Sequence, residues 1–113
     1  MAQGFVWFDL RTTDQGRSQE FYERLLGWDF VPQNGGPTMV NGEDGPWALV
    51  ADPPGEGSFW LPYIRVENVD EATRSAIDLG ATVRQEKTEG PGGTFCVIAD
   101  PTGAEVALWQ AAA

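Results

Sequence analysis

Residues 7–30 read WFDLRTTDQGRSQEFYERLLGWDF, and the hydrophobic spacing changes twice along them. From Gly4 to Thr12, Val6, Phe8 and Leu10 alternate with Trp7, Asp9 and Arg11, the period of a half-buried strand. Phe21, Tyr22, Leu25 and Leu26 then fall at helical spacing. Asp14 suits an N-cap and Gly27 a C-terminal stop, which predicts a helix over about Gln15–Leu26. WDFVP, Trp28–Pro32, returns to strand character. Asn34-Gly35-Gly36-Pro37 reads as a turn. Thr38–Val40 and Trp47–Ala51 read as short strands around a hairpin turn at residues 41–45.

Residues 52–58, DPPGEGS, have linker composition, and beyond them the same order recurs. WLPYIRV is a strand. Asn68 with Glu71 forms a capping box, Val69, Ala72, Ala76, Ile77 and Leu79 supply an apolar face, and Gly80 stops the helix. ATVRQEK, TFCVIAD and EVALWQ are strands, separated by a loop over 89–93 and a turn at Pro101-Thr102-Gly103. Each half alone is a small sheet with one helix and one open apolar face. The expected fold is α+β, with two tandem βαβββ modules forming a curved mixed sheet around a central cavity. Residues 1–113 then make one domain, with modules at about 1–52 and 59–113.

Apolar residues make up 42% of the 113-residue chain and charged residues 21%, which excludes disordered and fibrous classes. Seventeen acidic residues against seven basic ones give a net charge of −10. That charge argues against nucleic acid or an anionic membrane surface as partner, and suits a cationic ligand or plain solubility. There is no histidine, which removes histidine acid–base and nucleophilic chemistry and most transition-metal sites. The single cysteine, Cys96, excludes an internal disulfide. It lies in a predicted strand without a histidine or lysine to activate it, so it reads as a structural thiol. The first ten residues show no basic leader, and no stretch has the apolar length to span a bilayer. A cytoplasmic protein is expected. The glycine-rich stretches at 35–36 and 90–93 lack the strand-to-helix context of a phosphate loop and read as turns or a pocket rim. Five tryptophans point either to a small core built from large side chains or to an aromatic-lined pocket.

The run Phe21, Tyr22, Leu25, Leu26, Gly27, Trp28 resembles the FY…LLGW helix end of the glyoxalase/bleomycin-resistance group, the vicinal oxygen chelate superfamily. YIRVENVDEATRSAIDLGA and VIADPTGAEVALWQ, with the Asp100-Pro101-Thr102-Gly103 turn, look like that group's second module. The group contains metal-dependent lyases, epimerases, dioxygenases and thiol transferases, and also metal-free proteins that sequester antibiotics. Its metal ligands are His, Glu or Gln on the first and last strands of each module. The matching positions here are Trp7, about Leu49, Leu61 and Ala107, none a ligand, and the nearby Asp9 and Glu105 make only a weak pair of donors. The resemblance therefore implies no metal and no cofactor. It also implies a homodimer, since members commonly pair or swap modules.

Alternation places Phe5, Trp7, Asp9 and Arg11 on the cavity side. Leu61, Tyr63 and Arg65, then Glu105, Ala107 and Trp109, share that side, with Leu49 beside them. Val6, Phe8, Leu10, Ile64, Val66, Val106 and Leu108 face the helices. Large aromatics mixed with four charges suit a small-molecule pocket, although Trp7 and Trp109 would equally fill the space as core. Asp9 and Glu105 are either an acid–base pair or salt-bridged to Arg11 and Arg65. Tyr63 is either a proton donor or a hydrogen-bonded wall. The leading expectation is metal-free binding of a bulky aromatic or amphipathic small molecule, with a cation favoured by the net charge. Antibiotic or natural-product sequestration, and hence resistance, would follow. The alternative is a metal-independent enzyme of lyase or isomerase type using Asp9, Glu105 or Tyr63 for proton transfer on a natural-product-like substrate.

Overall fold

The computed structural model describes residues 4–90 and 92–113. Its elements are β1 (Phe5–Arg11), α1 (Gln15–Leu26), β2 (Asp29–Gln33), β3 (Gly36–Gly42), β4 (Gly45–Ala51), β5 (Phe59–Arg65), α2 (Val69–Asp78), β6 (Thr82–Gly90), β7 (Gly93–Ala99) and β8 (Glu105–Ala111). The chain is α+β, and the βαβββ order occurs twice. Two connections are tighter than their composition suggests. Gln33 pairs with Gly36 and Gly42 with Gly45, so β3 and β4 absorb residues expected in turns. Gly35 at φ 69° makes the first closure feasible, because a left-handed residue matches the twist of a two-residue hairpin. Of the loop expected over 89–93, Pro91 lies outside the described residues. Among the described residues no helix is long and apolar enough to cross a membrane.

The chain divides into two compact units: Trp7–Leu61, and residues 62–113 with the first residues through Val6. In the Trp7–Leu61 unit, β4 runs parallel to β1 with Phe8 beside Ala48 and Leu10 beside Val50. β3 and then β2 add antiparallel. The α1 boundaries are local chemistry. The Asp14 carboxylate accepts from the Arg17 N–H at 3.0 Å, and Gly27, at φ 70°, donates its N–H to the Glu23 carbonyl at 2.9 Å. The α1 face of this sheet carries Val40, Ala48 and Val50, packed by Phe8, Trp28, Phe30, Trp47 and Trp60. The register shift between Val40 and Asn41 leaves Trp47 as an extra residue on β4. A bulge of this kind re-aims a side chain. Trp47 accordingly meets Phe8 edge-on and stacks near Trp60, with centroids 6.0 and 6.3 Å away. α1 buries none of its residues fully, and Tyr22 is its ring contact with this cluster. The Tyr22 ring stacks on Trp28 at 4.8 Å, and its hydroxyl accepts from the Trp60 indole N–H at 3.1 Å. Three of the five tryptophans, each partly buried, therefore pack against the core of this unit. The linker is pinned as well: the Ser58 hydroxyl accepts from the Thr13 N–H at 3.0 Å, and Gln15 donates to Asp52 at 3.0 Å.

In the second unit β5 is parallel to β8, and β8 and β6 flank β7 antiparallel. Val69, Ala72 and Ala76 bring α2 onto Cys96, Ile98, Leu108, Val66, Val83 and Val106. Asn68 caps α2 by accepting from the Glu71 N–H at 3.0 Å, and Gln110 reaches across to accept from the Val69 N–H at 2.9 Å. Ile77 and Leu79, expected on the packed face, are 50% and 80% exposed. The buried stripe runs through residues 69, 72 and 76, about 100° away from Ile77, and α2 ends before Leu79. Cys96 is buried, its thiol donating to the Gln85 carbonyl at 3.4 Å, as a structural thiol would.

Asp100 organises the turn into β8. One carboxylate oxygen accepts from the Thr102 N–H (2.8 Å), the Thr102 hydroxyl (2.7 Å) and the Ala104 N–H (3.1 Å). The bond from the Thr102 side chain, followed by the backbone bonds, holds its carboxyl below the usual value of 3.8. A depressed folded-state value contributes stability that is present above the unfolded value and is lost as pH falls through the folded one. Wild type should therefore lose stability below about pH 4 more steeply than Asp100→Asn does. Urea midpoints measured from pH 6 to 2.5 check this, and parallel curves for the two proteins would count against it.

Candidate functional site

Each sheet has one face turned away from its helix, and the sequence-predicted residues lie there. In the Trp7–Leu61 unit the register sets Asp9 beside Leu49 and Met39, opposite in facing to the Phe8–Ala48–Val40 row under α1. Asp9 is 3% exposed and Arg11 7%. The Asp9 carboxylate accepts from the Trp7 indole N–H at 3.1 Å and meets the Arg11 guanidinium at 3.5 Å. Alternation on a single strand produces this string, since residues two apart share a face. Of the two readings of Asp9, the ion pair with Arg11 is the one present: Arg11 is buried against Asp9, because a guanidinium out of water needs a carboxylate beside it. Leu61 is fully buried and Phe5 is half exposed.

In the second unit Tyr63 sits beside Ala107 and Arg65 beside Trp109. Phe95 is the register partner of Trp109 on its other side, and Val97 that of Ala107. The Arg65 guanidinium carbon lies 5.9 Å from the Trp109 ring centre, and Tyr63 and Phe95 meet with centroids 5.5 Å apart. Arg65 is exposed, Trp109 half-buried, and Tyr63 7% exposed. Gly92 and Gly93 approach the Trp109 ring closely. A side chain at Gly93, where φ is 149°, would overlap the Gln110 carbonyl and crowd the indole nitrogen. Glu105 does not join this group as an acid–base residue. It is exposed and lies 3.7 Å from the Arg84 guanidinium. Phe95 and Met39 are additions to the expected set. The β7 run FCVIA is apolar on both sides, so no alternation marks which of its residues turns away from α2. Only the pairing with β8 reveals it.

The donor chemistry does not fit a divalent metal at the inherited positions. Trp7 uses its one N–H on Asp9, and Leu49, Leu61 and Ala107 have no lone pair to offer. Among the described residues no three His, Cys, Asp or Glu side chains converge. The Trp7–Leu61 face carries a buried ion pair, and the second unit's face carries aromatic rings with one exposed guanidinium.

A family described as "Glyoxalase-like domain" matches residues 6–109. "Putative glyoxylase CFP32" from Mycobacterium tuberculosis is 39% identical over 117 residues, spanning 93% of this chain and 44% of that protein. "Anthracycline biosynthesis protein DnrV" from Streptomyces peucetius is 29% identical over 126 residues, spanning 93% and 46% respectively. The chain thus spans less than half the length of the curated relatives it matches. Among solved structures, methylmalonyl-CoA epimerase from Streptomyces coelicolor superposes with a TM-score of 0.64 over 100% of both chains at 16% identity. Homoprotocatechuate 2,3-dioxygenase from B. fuscum reaches 0.70 over 99% of this chain and 33% of its own, also at 16% identity. These last two similarities concern the fold.

Proposed function

The chain belongs to the glyoxalase-like domain family, within the vicinal oxygen chelate superfamily, and from that membership we propose that it binds a bulky, planar aromatic or amphipathic small molecule without a metal ion. The observation that carries this reading is the group on the second unit's helix-free face: Tyr63, Phe95 and Trp109 with Arg65 against the indole. The half-buried Phe95 and Trp109 rings and one guanidinium supply stacking surface and a polar anchor, with Tyr63 buried beside Phe95. The name of the Streptomyces peucetius relative places that protein in anthracycline biosynthesis, which supports a polycyclic aromatic ligand here. Sequestration of an antibiotic or related natural product is the role that follows. In the Trp7–Leu61 unit, Trp7, Asp9, Arg11 and Leu49 form a face of their own, with Asp9 and Arg11 as its rigid frame. A cytoplasmic setting belongs to the same reading and accords with Cys96 being a free, buried thiol.

Thermal-shift screening with anthracycline-type polycyclic aromatics tests it, because a ligand of the folded state must raise the melting temperature. Trp109→Ala should fold and lose about 1–3 kcal/mol of affinity for any hit, by analogy with base–aromatic stacking. A hit whose affinity is the same for wild type and Trp109→Ala would remove the reading's main support. A stoichiometric divalent metal in protein purified without chelators would overturn the metal-free part. We further propose a homodimer, for which the exposed Phe21, Leu25 and Leu26 on α1 supply apolar surface. Light scattering at micromolar concentration should give twice the mass of the chain, and the mass of a single chain would refute it.

A further inference from the structure

We propose that the ligand carries a carboxylate conjugated to its aromatic system, and that Arg65 selects it. This rests on the binding reading above and names the ligand's charge, which that reading leaves open. The charge inventory points to Arg65. Acidic residues outnumber basic ones seventeen to seven. Among the described residues Arg11 pairs with Asp9, Arg24 with Glu20, Arg84 with Glu105 and Lys87 with Asp70. Arg17 and Arg74 lie exposed on helices. Arg65 alone stands on a sheet face among aromatic rings, and among the described residues no carboxylate lies within ion-pair distance of it.

The Arg65 guanidinium carbon lies within cation–π reach of the indole, 5.9 Å from its ring centre. A guanidinium held against an aromatic ring uses its π-face and keeps its in-plane N–H donors available. Two parallel donors match a carboxylate and not an ammonium or an amide. Arg65, Trp109 and Phe95 stand side by side on successive strands, about 5 Å apart. That spacing suits a fused aromatic ring along the half-buried Trp109 and Phe95 rings with its carboxylate at Arg65. The net charge of −10 favours cations only at long range. Screening limits that field to about 8–10 Å in ordinary salt, and at contact the nearest charge decides.

The probes are 2-naphthoate and its uncharged isostere 2-naphthamide, titrated by tryptophan fluorescence and calorimetry at pH 7. Wild type should bind naphthoate about tenfold tighter than naphthamide, the size of one charge-assisted hydrogen bond. Arg65→Gln should bind the two equally, and Arg65→Lys should keep part of the preference. Because Arg65 is exposed, both variants should retain wild-type unfolding midpoints. Equal binding of the two probes by wild type would overturn the carboxylate proposal and leave the aromatic-binding reading standing. A preference that survives Arg65→Gln would overturn the assignment to Arg65. Failure of wild type to bind either probe would overturn both.

Discussion

Trp28→Ala should lower folding stability by about 3 kcal/mol, the low end for an aromatic core truncation because the ring is half-buried. Trp28 stacks on Tyr22 at 4.8 Å and meets Trp47 and Trp60 edge-on at 4.9 and 5.9 Å. Each such ring pair adds roughly 0.5–1.5 kcal/mol beyond burial, so its removal affects these three partners and Phe30, 6.5 Å away, at once. The damage should concentrate on α1, because none of that helix is fully buried and Tyr22 is its link to the ring cluster. Urea unfolding should show the shifted midpoint, and amide exchange across residues 15–26 should accelerate more than exchange in β7. A variant within 0.5 kcal/mol of wild type would show that these rings are a surface ornament and not the core of the unit.

Asp9→Ala should cost about 3–5 kcal/mol, because it leaves the buried Arg11 guanidinium without its carboxylate and the Trp7 indole N–H without its acceptor. The paired replacement Asp9→Leu with Arg11→Met should be far milder than either single change, since it removes both charges together. Chemical denaturation of the two single variants and the double variant completes the cycle. Additive losses would mean that the two residues do not depend on one another. The outcome bears on function. A strongly coupled pair is scaffold for its own sheet, whereas an uncoupled Arg11 would leave its charge open to a ligand.

The legibility of this chain in its sequence follows the range of the forces involved. α1 was readable to its end residues because its limits are set within four residues by Asp14 and Gly27. Asn68 marked the start of α2 for the same reason. The facing of β1, β5 and β8 was readable because alternation is a property of one strand. Leu108, Val106 and Val66 do lie under α2, while Tyr63, Arg65, Ala107 and Trp109 face away. Leu79 was misplaced because helical spacing extends a stripe indefinitely, whereas the helix stops at Asp78.

The sequence by itself determined the twice-repeated βαβββ order, the helix caps, the side of each sheet on which most side chains fall, and the poverty of metal donors. These depend on residue type, local backbone preference and a fixed side-chain period. Tertiary structure alone decided which aromatics are core. The bulge that swings Trp47 beside Phe8 and Trp60 arises from pairing between β3 and β4. It alone decided that Arg11 is locked to Asp9 while Arg65 stays exposed against Trp109, although the two arginines hold matching places in their strands. Their difference is burial. Once water is withdrawn a guanidinium must be neutralised by a neighbouring carboxylate, and at the solvent edge it need not be.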